Sequence, residues 1–391
     1  MGNECKGEIF SSCQGFPDRR TCMLMVTHGC NLNCTYCYEK FKNAGKKMTL
    51  ELAKEIITRE MEMVKASEKF NELEIDFMGG EPLLRFDLIR DVVEWLESSE
   101  PLVPYICFAT TNGTLLTKEM KEWFRAHRRT MMLGASYDGL TSLQGENRGS
   151  KATALDLSFF QEVWPEQGFK MTISKEGLPY LFESLKEAAR LEYRLDASLA
   201  QGVDWDIRDA EIYLDQLRKL KDYYLENMDL MPSNLLTRML IGVGERGAAQ
   251  IKFCGSGVHM CTYDTDGRKY GCHMFTPLVL SERALPLDEF DGWDDGEKLS
   301  DSECSGCGMA RWCPTCIGFN MLTRGDVTRR DRRWCAMMAV QAIVSCEYQL
   351  EAFSRLVAQN ELNEEGAKVL TAALSAYEYL KTVDYRKPFP Q

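Results

Sequence analysis

Cysteines are the residues of this chain whose number and spacing point most directly to chemistry. The chain has sixteen of them in 391 residues, and three lie together in HGCNLNCTYCYE as Cys30, Cys34 and Cys37. A four-iron cluster takes one ligand per iron, so three thiolates would leave one iron open to a ligand from outside the protein. A zinc site or three unrelated buried thiols are the alternatives.

A second group of cysteines lies in the C-terminal half. Eight of the sixteen fall between Cys254 and Cys335, among glycines and short loops with little apolar periodicity. Such a region is predicted to be held together by metal clusters rather than by a hydrophobic core. A zinc ribbon is the alternative, but five residues between Cys307 and Cys313 are fewer than the usual ribbon spacing of roughly 15 to 20. The remaining cysteines are predicted to be ordinary small hydrophobic residues: Cys5, Cys13, Cys22, Cys107 and Cys346.

The amino-acid composition indicates the cellular compartment and the classes of binding partner to expect. The net charge is −12 and 45% of the residues are hydrophobic, so the chain can bury a sizeable core and suits a polyanion such as DNA poorly. No signal peptide and no apolar stretch of about 18 residues is found. We therefore expect a cytoplasmic protein without nucleic-acid or membrane partners, whose cysteines bind metals or act catalytically. A secreted chain held by disulfides is the alternative.

Short β-branched or aromatic runs alternate with helical stretches in the N-terminal half. Candidate strands cover residues 22–27, 73–78, 105–110, 131–136, 169–174 and 193–199. Helices are expected to begin near residues 49, 87, 117, 155 and 178, with Thr49 and Thr117 as N-caps. Six such units predict an α/β fold, a partial (β/α)6 TIM-type barrel, with chemistry on the loops after the strands.

Four regions follow from these patterns. They are an N-terminal extension (1–19), the partial barrel (20–235), a cysteine-rich domain (236–340) and C-terminal helices (341–391). A long amphipathic helix at 207–227, within the barrel region, is interpreted as core packing.

The first cysteine loop resembles that of the radical S-adenosylmethionine (SAM) superfamily. In that family the loop binds a [4Fe–4S] cluster whose open iron chelates SAM, and the aromatic Tyr36 before the third cysteine also fits. The resemblance implies reductive cleavage of SAM to a 5′-deoxyadenosyl radical that abstracts a hydrogen atom, while the protein orients the reactants.

Further motifs at predicted strand ends support this resemblance. The segment Gly79-Gly80-Glu81-Pro82 is similar to the family's GGEP segment, whose backbone and glutamate receive the amino group of the methionine moiety. Glycines allow close approach of a ligand to the main chain, and a carboxylate suits an ammonium group. Asn112, in the turn after the third strand, is a further cofactor-binding candidate.

Three more SAM contacts are implied by the order of the family's motifs. Ser136, at the end of the fourth strand, would contact the ribose, and Arg148 the methionine carboxylate. Leu199, at the end of the sixth strand, would lie against the adenine. The alternative for Ser136 and Arg148 is an ordinary surface or turn position.

The C-terminal cysteines resemble the SPASM extension of radical enzymes that modify peptides and proteins. The match departs from the usual form in having two residues, not three, between Cys313 and Cys316. The resemblance implies two auxiliary [4Fe–4S] clusters, three clusters in all, with an electron-transfer role. The implied ligands are Cys254, Cys261, Cys272 and Cys316 for the first auxiliary cluster and Cys304, Cys307, Cys313 and Cys335 for the second. If Cys261 is not a ligand, the first would have an open iron able to bind a substrate thiolate.

His273 bears on the substrate. In sulfatase-maturating enzymes an aspartate follows the corresponding cysteine and serves as the base, whereas this chain has His273 after Cys272. The sequence Cys-His-x-Phe resembles the corresponding segment of maturases that crosslink ribosomally made peptides. His273 is therefore the candidate catalytic base. The alternative is that it only hydrogen-bonds a cluster sulfur or the fold.

Taken together, the resemblances imply a radical SAM peptide maturase. It would oxidatively modify or crosslink a precursor peptide, through thioether or carbon–carbon bonds, with an electron donor such as flavodoxin or ferredoxin. One alternative is an anaerobic sulfatase-maturating enzyme that forms formylglycine. The other is a non-catalytic metal-binding scaffold, which has no need of a cluster with an open iron.

Overall fold

Strands and helices alternate through most of the chain. The computed structural model describes residues 18–247, 254–313 and 315–389, so Cys5 and Cys13 lie outside the described residues. The strands in this part of the chain are β1 (Arg19–His28), β2 (Asn43–Lys47), β3 (Glu72–Gly79), β4 (Tyr105–Thr111), β5 (Met131–Ala135), β6 (Phe169–Ile173), β7 (Leu195–Leu199), β8 (Met260–Tyr263) and β9 (Lys269–Tyr270). The helices are α1 (Leu50–Lys65), α2 (Phe86–Ser98), α3 (Lys118–Ala126), α4 (Thr141–Arg148), α5 (Leu157–Val163), α6 (Leu181–Arg190), α7 (Ile207–Glu226), α8 (Asn234–Thr237), α9 (Pro277–Leu280), α10 (Ile317–Arg324), α11 (Trp334–Ala358) and α12 (Glu364–Leu380). None of these helices has the length and hydropathy of a membrane span.

The first compact unit, which we call the sheet unit, combines residues 18–170 with 254–294. Its sheet has the order β5-β4-β3-β1-β8-β9, and β2 pairs with the carboxyl end of β1. The pairs β5–β4, β4–β3, β3–β1 and β1–β8 are parallel, whereas β2 and β9 run antiparallel to their neighbours. The carboxyl ends of the parallel strands therefore meet at one edge, where the predicted motifs lie.

The sheet has two different faces. In β3 the buried Leu73, Ile75 and Phe77 alternate with partly exposed residues that include Glu74 and Asp76. Because successive side chains in a strand point to opposite faces, we call the side of Glu74 and Asp76 the inner face. The other, the outer face, is mostly apolar and packs against helices. Helices α1 and α3 begin at the predicted N-caps: the hydroxyls of Thr49 and Thr117 each accept a backbone N–H at 3.2 Å.

The second compact unit, which we call the helical unit, combines residues 171–247 with 295–389, apart from residue 314. Strand β6 begins at the end of the sheet unit and pairs with β7 as a two-stranded sheet. Helix α7, predicted as a core helix, packs on α11, and the hydroxyl of Tyr213 donates to Gln341 Oε1 at 3.2 Å. Cys346 in α11 is buried, as are Cys22 and Cys107 in the sheet unit, which confirms that these three are core residues.

An ion cluster on the outer face joins α1 to β1 and β9. Arg20 Nε donates to Glu60 Oε2 at 2.6 Å, and Lys269 Nζ donates to Glu60 Oε1 at 2.8 Å. The hydroxyl of Tyr263 also donates to Oε1, at 2.5 Å. Burial by itself would raise the pKa of Glu60, but the hydrogen bonds and charges of Arg20 and Lys269 outweigh it and lower the pKa from 4.5 to about 2.

The pKa of Glu60 predicts how stability depends on pH. Because the folded-state pKa lies below the unfolded one, the stabilisation is fully present above pH about 4.5 and is lost as the pH falls towards about 2. Glu60→Gln should remove that acid-dependent loss, on the order of 3 kcal/mol. Urea unfolding on either side of pH about 4 measures it, with the exposed Glu62→Gln in the same helix as control. An equal pH dependence in both variants would contradict the assignment.

Candidate functional site

The three-cysteine loop follows β1 directly. Cys30, Cys34 and Cys37 are all partly exposed, and Lys42 Nζ donates to the carbonyl of Leu32 inside the loop at 3.0 Å. Burial raises the pKa of Cys30 to about 11, against the charge of Lys42. Three accessible thiols on one short loop fit a cluster that needs one protein ligand for each of three irons.

Two glycines at the end of β3 lie against this loop. A Cβ at Gly79 would lie 2.3 Å from the carbonyl oxygen of Thr27, and a Cβ at Gly80 would lie 2.4 Å from that of Gly29 and 2.8 Å from Cys30 Cβ. The two shortest contacts involve backbone carbonyl oxygens, which cannot move aside as a side chain can. The predicted Gly-Gly pair therefore lets the ends of β1 and β3 approach closely at the cysteine loop.

Gly80→Ala is expected to displace the cysteine loop. The added Cβ meets Gly29 and Cys30, so we expect a loss of about 1–3 kcal/mol in unfolding free energy, together with poorer iron incorporation at the loop. Denaturant unfolding and iron analysis after reconstitution measure the two effects. Gly306→Ala is the matched control, because a Cβ there meets nothing within 4 Å. Unchanged stability and iron in Gly80→Ala would contradict the expectation.

Glu81 is bound by the protein itself. Its carboxylate accepts from the Thr111 hydroxyl at 2.7 Å, from Asn112 N at 2.9 Å and from Leu83 N at 3.1 Å. The side chain of Asn112 in turn donates to Asn31 Oδ1 in the cysteine loop at 3.0 Å. Glu81 and Asn112 are therefore brought together with the loop, in a network that ties β3 and β4 to it.

Tyr36 and Arg148 meet at a carboxylate that sequence reasoning missed. The Tyr36 hydroxyl donates to Asp138 at 2.7 Å, and Arg148 donates to both oxygens of Asp138 at 3.0 and 3.1 Å. Arg148 also lies over the Tyr36 ring, 5.3 Å from its centroid, and Asn147 Nδ2 donates to Asp138 at 3.1 Å. Burial and the charge of Asp138 raise the pKa of Tyr36, although Arg148 opposes them. This cluster fixes the middle of the cysteine loop on α4.

The other predicted SAM contacts lie at strand ends. Ser136 directly follows β5, and its carbonyl accepts from Gln144 Nε2 at 3.2 Å. Leu199 is the buried last residue of β7 in the helical unit.

His273 lies beside the cysteine loop. Its Nε2 is 3.0 Å from the hydroxyl of Tyr38, the residue after Cys37, whereas its buried Nδ1 makes no hydrogen bond among the described residues. Burial, helped by the charge of Lys170, lowers the pKa of His273 to about 4. The imidazole is therefore neutral at physiological pH and is a weak proton acceptor, unlike the near-neutral base expected from the sequence.

Two charged side chains on the inner face were also missed from the sequence. Burial raises the pKa of Asp76 to about 7, against the charge of Lys170. Lys170 Nζ lies 5.6 Å from the ring centroid of Phe108, which is the register partner of Asp76. Neither the carboxylate nor the ammonium group makes a hydrogen bond or ion pair among the described residues. Strand alternation points to this face, but only the register shows that the two charges are neighbours.

The helical unit brings four predicted ligands together. Cys304, Cys307, Cys313 and Cys335 line one cavity with Arg330 and Arg332, and Arg332 Nη1 donates to Cys304 Sγ at 3.4 Å. Burial raises the pKa of Cys304 to about 11, with both guanidinium groups acting in the opposite direction. Four thiols and two cations fit a cluster that carries negative charge and takes four thiolates.

The other four predicted cluster ligands belong to two different units. Cys254 is exposed and Cys272 is buried after β9, both in the sheet unit. Cys261 lies within β8. Cys316 lies in the helical unit, where it lines a cavity next to Cys313.

Residues 24–136 match the radical SAM superfamily. The radical SAM cyclopropyl synthase TigE of Paramaledivibacter caminithermalis is 27% identical over 342 residues, 80% of this chain and 71% of TigE. An uncharacterized protein of Methanocaldococcus jannaschii, MJ0907, is 30% identical over 170 residues, 42% of this chain and 56% of that protein. The match thus spans little more than half of that relative.

Two groups of solved structures share the fold. The complex of anSMEcpe, a sulfatase maturase, with AdoMet and the Cp18Cys peptide has a TM-score of 0.58 at 18% identity, over 87% of this chain and 98% of that one. SuiB of Streptococcus suis bound to its precursor peptide SuiA has a TM-score of 0.52 at 16% identity, over 81% and 76%. With the parallel sheet, these matches confirm the predicted α/β fold of the partial-barrel type. Residues 24–136 are therefore a radical SAM domain, in a chain that is similar in sequence to the radical SAM enzyme TigE and in fold to anSMEcpe and SuiB.

Proposed function

We propose that this enzyme oxidatively modifies or crosslinks a ribosomally made precursor peptide. The observation that carries the proposal is the cavity lined by Cys304, Cys307, Cys313 and Cys335, in addition to the three-cysteine loop. A second site for an iron–sulfur cluster suits an oxidation, because a substrate that loses a hydrogen atom and then a proton must also give up one electron. The peptides bound in the related structures support the substrate class.

Each group of residues has a role in this proposal. When bound, SAM and the loop cluster supply a 5′-deoxyadenosyl radical. Cys30, Cys34 and Cys37 hold that cluster, and the network of Glu81 and Asn112 keeps their loop in place.

The inner face is the proposed position of the substrate. The unpaired Lys170 ammonium can donate to a peptide carbonyl, and the unpaired Asp76 carboxylate can accept from a peptide N–H. With a pKa of about 7, Asp76 is also better suited than His273 to receive a proton near neutral pH. We therefore assign His273 to orienting Tyr38 through their hydrogen bond.

The experiment is anaerobic turnover with SAM and dithionite on candidate precursor peptides encoded beside the gene. We expect 5′-deoxyadenosine to form together with a peptide that has lost two hydrogens, as seen by mass spectrometry. Asp76→Asn and Lys170→Met should weaken peptide modification while deoxyadenosine formation without peptide stays unchanged. The exposed Lys118→Met is the control. Deoxyadenosine without any change in these peptides would argue against the proposal.

A sulfatase maturase is the second candidate function. It is favoured by the match to anSMEcpe, which covers 98% of that chain. For this function we expect a Cys-containing sulfatase peptide to be converted to formylglycine and His273→Asp to be tolerated. If the sulfatase peptide is not converted and His273→Asp is inactive, the sulfatase-maturase function is contradicted and the crosslinking function remains.

A further inference from the structure

Strand β2 is an open edge of the sheet next to the three-cysteine loop. All its residues are exposed, and β1 is the only strand that pairs with it in the described part of the chain. A strand that is paired on one side presents the N–H and C=O groups of its other side to a further strand. An extended peptide can therefore pair with β2 and add a strand to the sheet.

Strand β2 lies against the start of the cysteine loop. A Cβ at Gly29, the residue before Cys30, would lie 3.3 Å from Ala44 Cα in β2. In the same strand, the carbonyl of Lys46 accepts from the Thr27 hydroxyl at 3.3 Å. Neighbouring strands are about 5 Å apart, so a peptide paired with β2 would lie about 10 Å from β1, at whose end the cysteine loop begins. The bound peptide would thus pass beside the proposed site of the loop cluster.

The segment around β2 is strongly basic in a chain that is acidic overall. Residues 40–47 include four lysines and no acidic residue, whereas the net charge of the chain is −12. Lys42 is bound to a carbonyl inside the cysteine loop. Lys40, Lys46 and Lys47 are exposed and make no ion pair or side-chain hydrogen bond with any described residue. Because Lys46 and Lys47 are neighbours in a strand and point to opposite faces, acidic groups on both faces of an added strand would be complemented.

We propose that β2 binds an acidic, extended segment of the precursor peptide as an added strand, separate from the residue that is modified. This rests on the proposed function, because it names a feature of the same substrate. Backbone hydrogen bonds along the strand supply affinity, and Lys46 and Lys47 select an acidic segment over a basic one. The adjoining part of the peptide is then held at a high effective concentration beside the loop. An acidic electron donor could also contact these lysines, but a globular partner has no need of an open strand edge.

The first test measures binding of a synthetic peptide of alternating threonine and glutamate to the intact chain by fluorescence anisotropy, without SAM or reductant. Threonine favours the extended conformation. We expect binding that weakens as salt is added and that is lost when glutamine replaces glutamate in the peptide. No binding of the glutamate peptide at low ionic strength would overturn the proposal.

Substitution of the two lysines of β2 tests the charge directly. Lys46→Gln combined with Lys47→Gln should weaken binding of the glutamate peptide about three- to tenfold, as expected for two exposed ion pairs. The matched control is Lys118→Gln combined with Lys151→Gln, which removes the same charge at exposed positions of the sheet unit and should bind as the wild type does. An equal loss of affinity in both double variants would overturn the proposal.

The second test separates strand pairing from attraction by charge alone. Methylation of the backbone nitrogens of the glutamate peptide removes its N–H donors but keeps its charge. We expect the methylated peptide to bind at least about tenfold more weakly, because several backbone hydrogen bonds are lost. Equal affinity of the two peptides would overturn the added strand.

Turnover distinguishes failure of this proposal from failure of the proposed function. Modification of a precursor peptide with wild-type kcat/KM by the variant with Lys46→Gln and Lys47→Gln would overturn the role of β2 and keep the function. Binding of the glutamate peptide, with no precursor peptide modified, would contradict the function and keep the peptide site. Slower reduction of the loop cluster by flavodoxin in that variant, with peptide binding unchanged, would assign the lysines to the electron donor and overturn the proposal.

Discussion

Cys34→Ala is expected to abolish 5′-deoxyadenosine formation and to lower the iron content by about four atoms per chain. Cys34 is the middle thiol of the loop after β1, and the backbone of its neighbour Thr35 is bound to Asn147 O at 2.9 Å. Without Cys34 the loop offers only two thiols, too few to retain a cluster that has a single open iron. Anaerobic reconstitution, iron analysis and chromatography of the SAM cleavage products measure both effects.

The control for Cys34→Ala is Cys107→Ala, in the buried interior of β4. This variant removes a thiol from the same unit, but that thiol has no predicted role as a ligand. We therefore expect its iron content and its rate of deoxyadenosine formation to equal those of the wild type. Because the cavity of Cys304, Cys307, Cys313 and Cys335 is separate from this loop in sequence, Cys34→Ala should retain the iron of the cluster that we propose for this cavity. Deoxyadenosine formation at the wild-type rate in Cys34→Ala would contradict the loop assignment.

Asp138→Ala is expected to be among the most destabilising substitutions in the sheet unit. It removes the acceptor of the Tyr36 hydroxyl and leaves Arg148, 8% exposed, without the carboxylate that neutralises it. Removing one partner of a buried ion pair costs about 3–5 kcal/mol. Denaturant unfolding should show that loss in the free energy of unfolding, and reconstitution should show less iron at the loop.

Two further variants serve as controls for the effect of Asp138→Ala on stability. Asp138→Asn keeps an oxygen that accepts from Tyr36 but loses the charge, so its loss of stability should be smaller. Glu162→Ala breaks the exposed ion pair with Arg125 and should change stability little, because solvent screens such pairs. Equal effects of Asp138→Ala and Glu162→Ala would show that the buried cluster does not hold the loop.

The sequence alone was enough to predict the features that are set by residues close together along the chain. Apolar runs between turn residues predicted the six strands from β1 to β7 other than β2, and hydroxyls at Thr49 and Thr117 predicted two helix starts. The Cys-x3-Cys-x2-Cys spacing located the loop because those ligands are neighbours along the chain.

What the sequence could not supply depends on pairing between distant segments. Asp138 is an unremarkable residue of a turn until Tyr36 and Arg148 meet it. The face of Cys261 follows only from its register with Cys22, because a shift of one residue would turn the thiol to the other side. The spacing of cysteines carries no such information, so a ligand set transferred by order alone does not take into account the face of the sheet to which each thiol points.

The hydrogen bonds around the cysteine loop also bear on how a cluster is assembled and repaired. Asn31 is bound to Asn112 and Tyr36 to Asp138, so protein contacts already order the loop. Fixing one residue of a flexible chain costs about 1–2 kcal/mol of conformational entropy. Because these contacts already fix Asn31 and Tyr36, less conformational entropy remains to be lost when iron and sulfide bind, and we expect that a lost cluster can be rebuilt without refolding of the sheet.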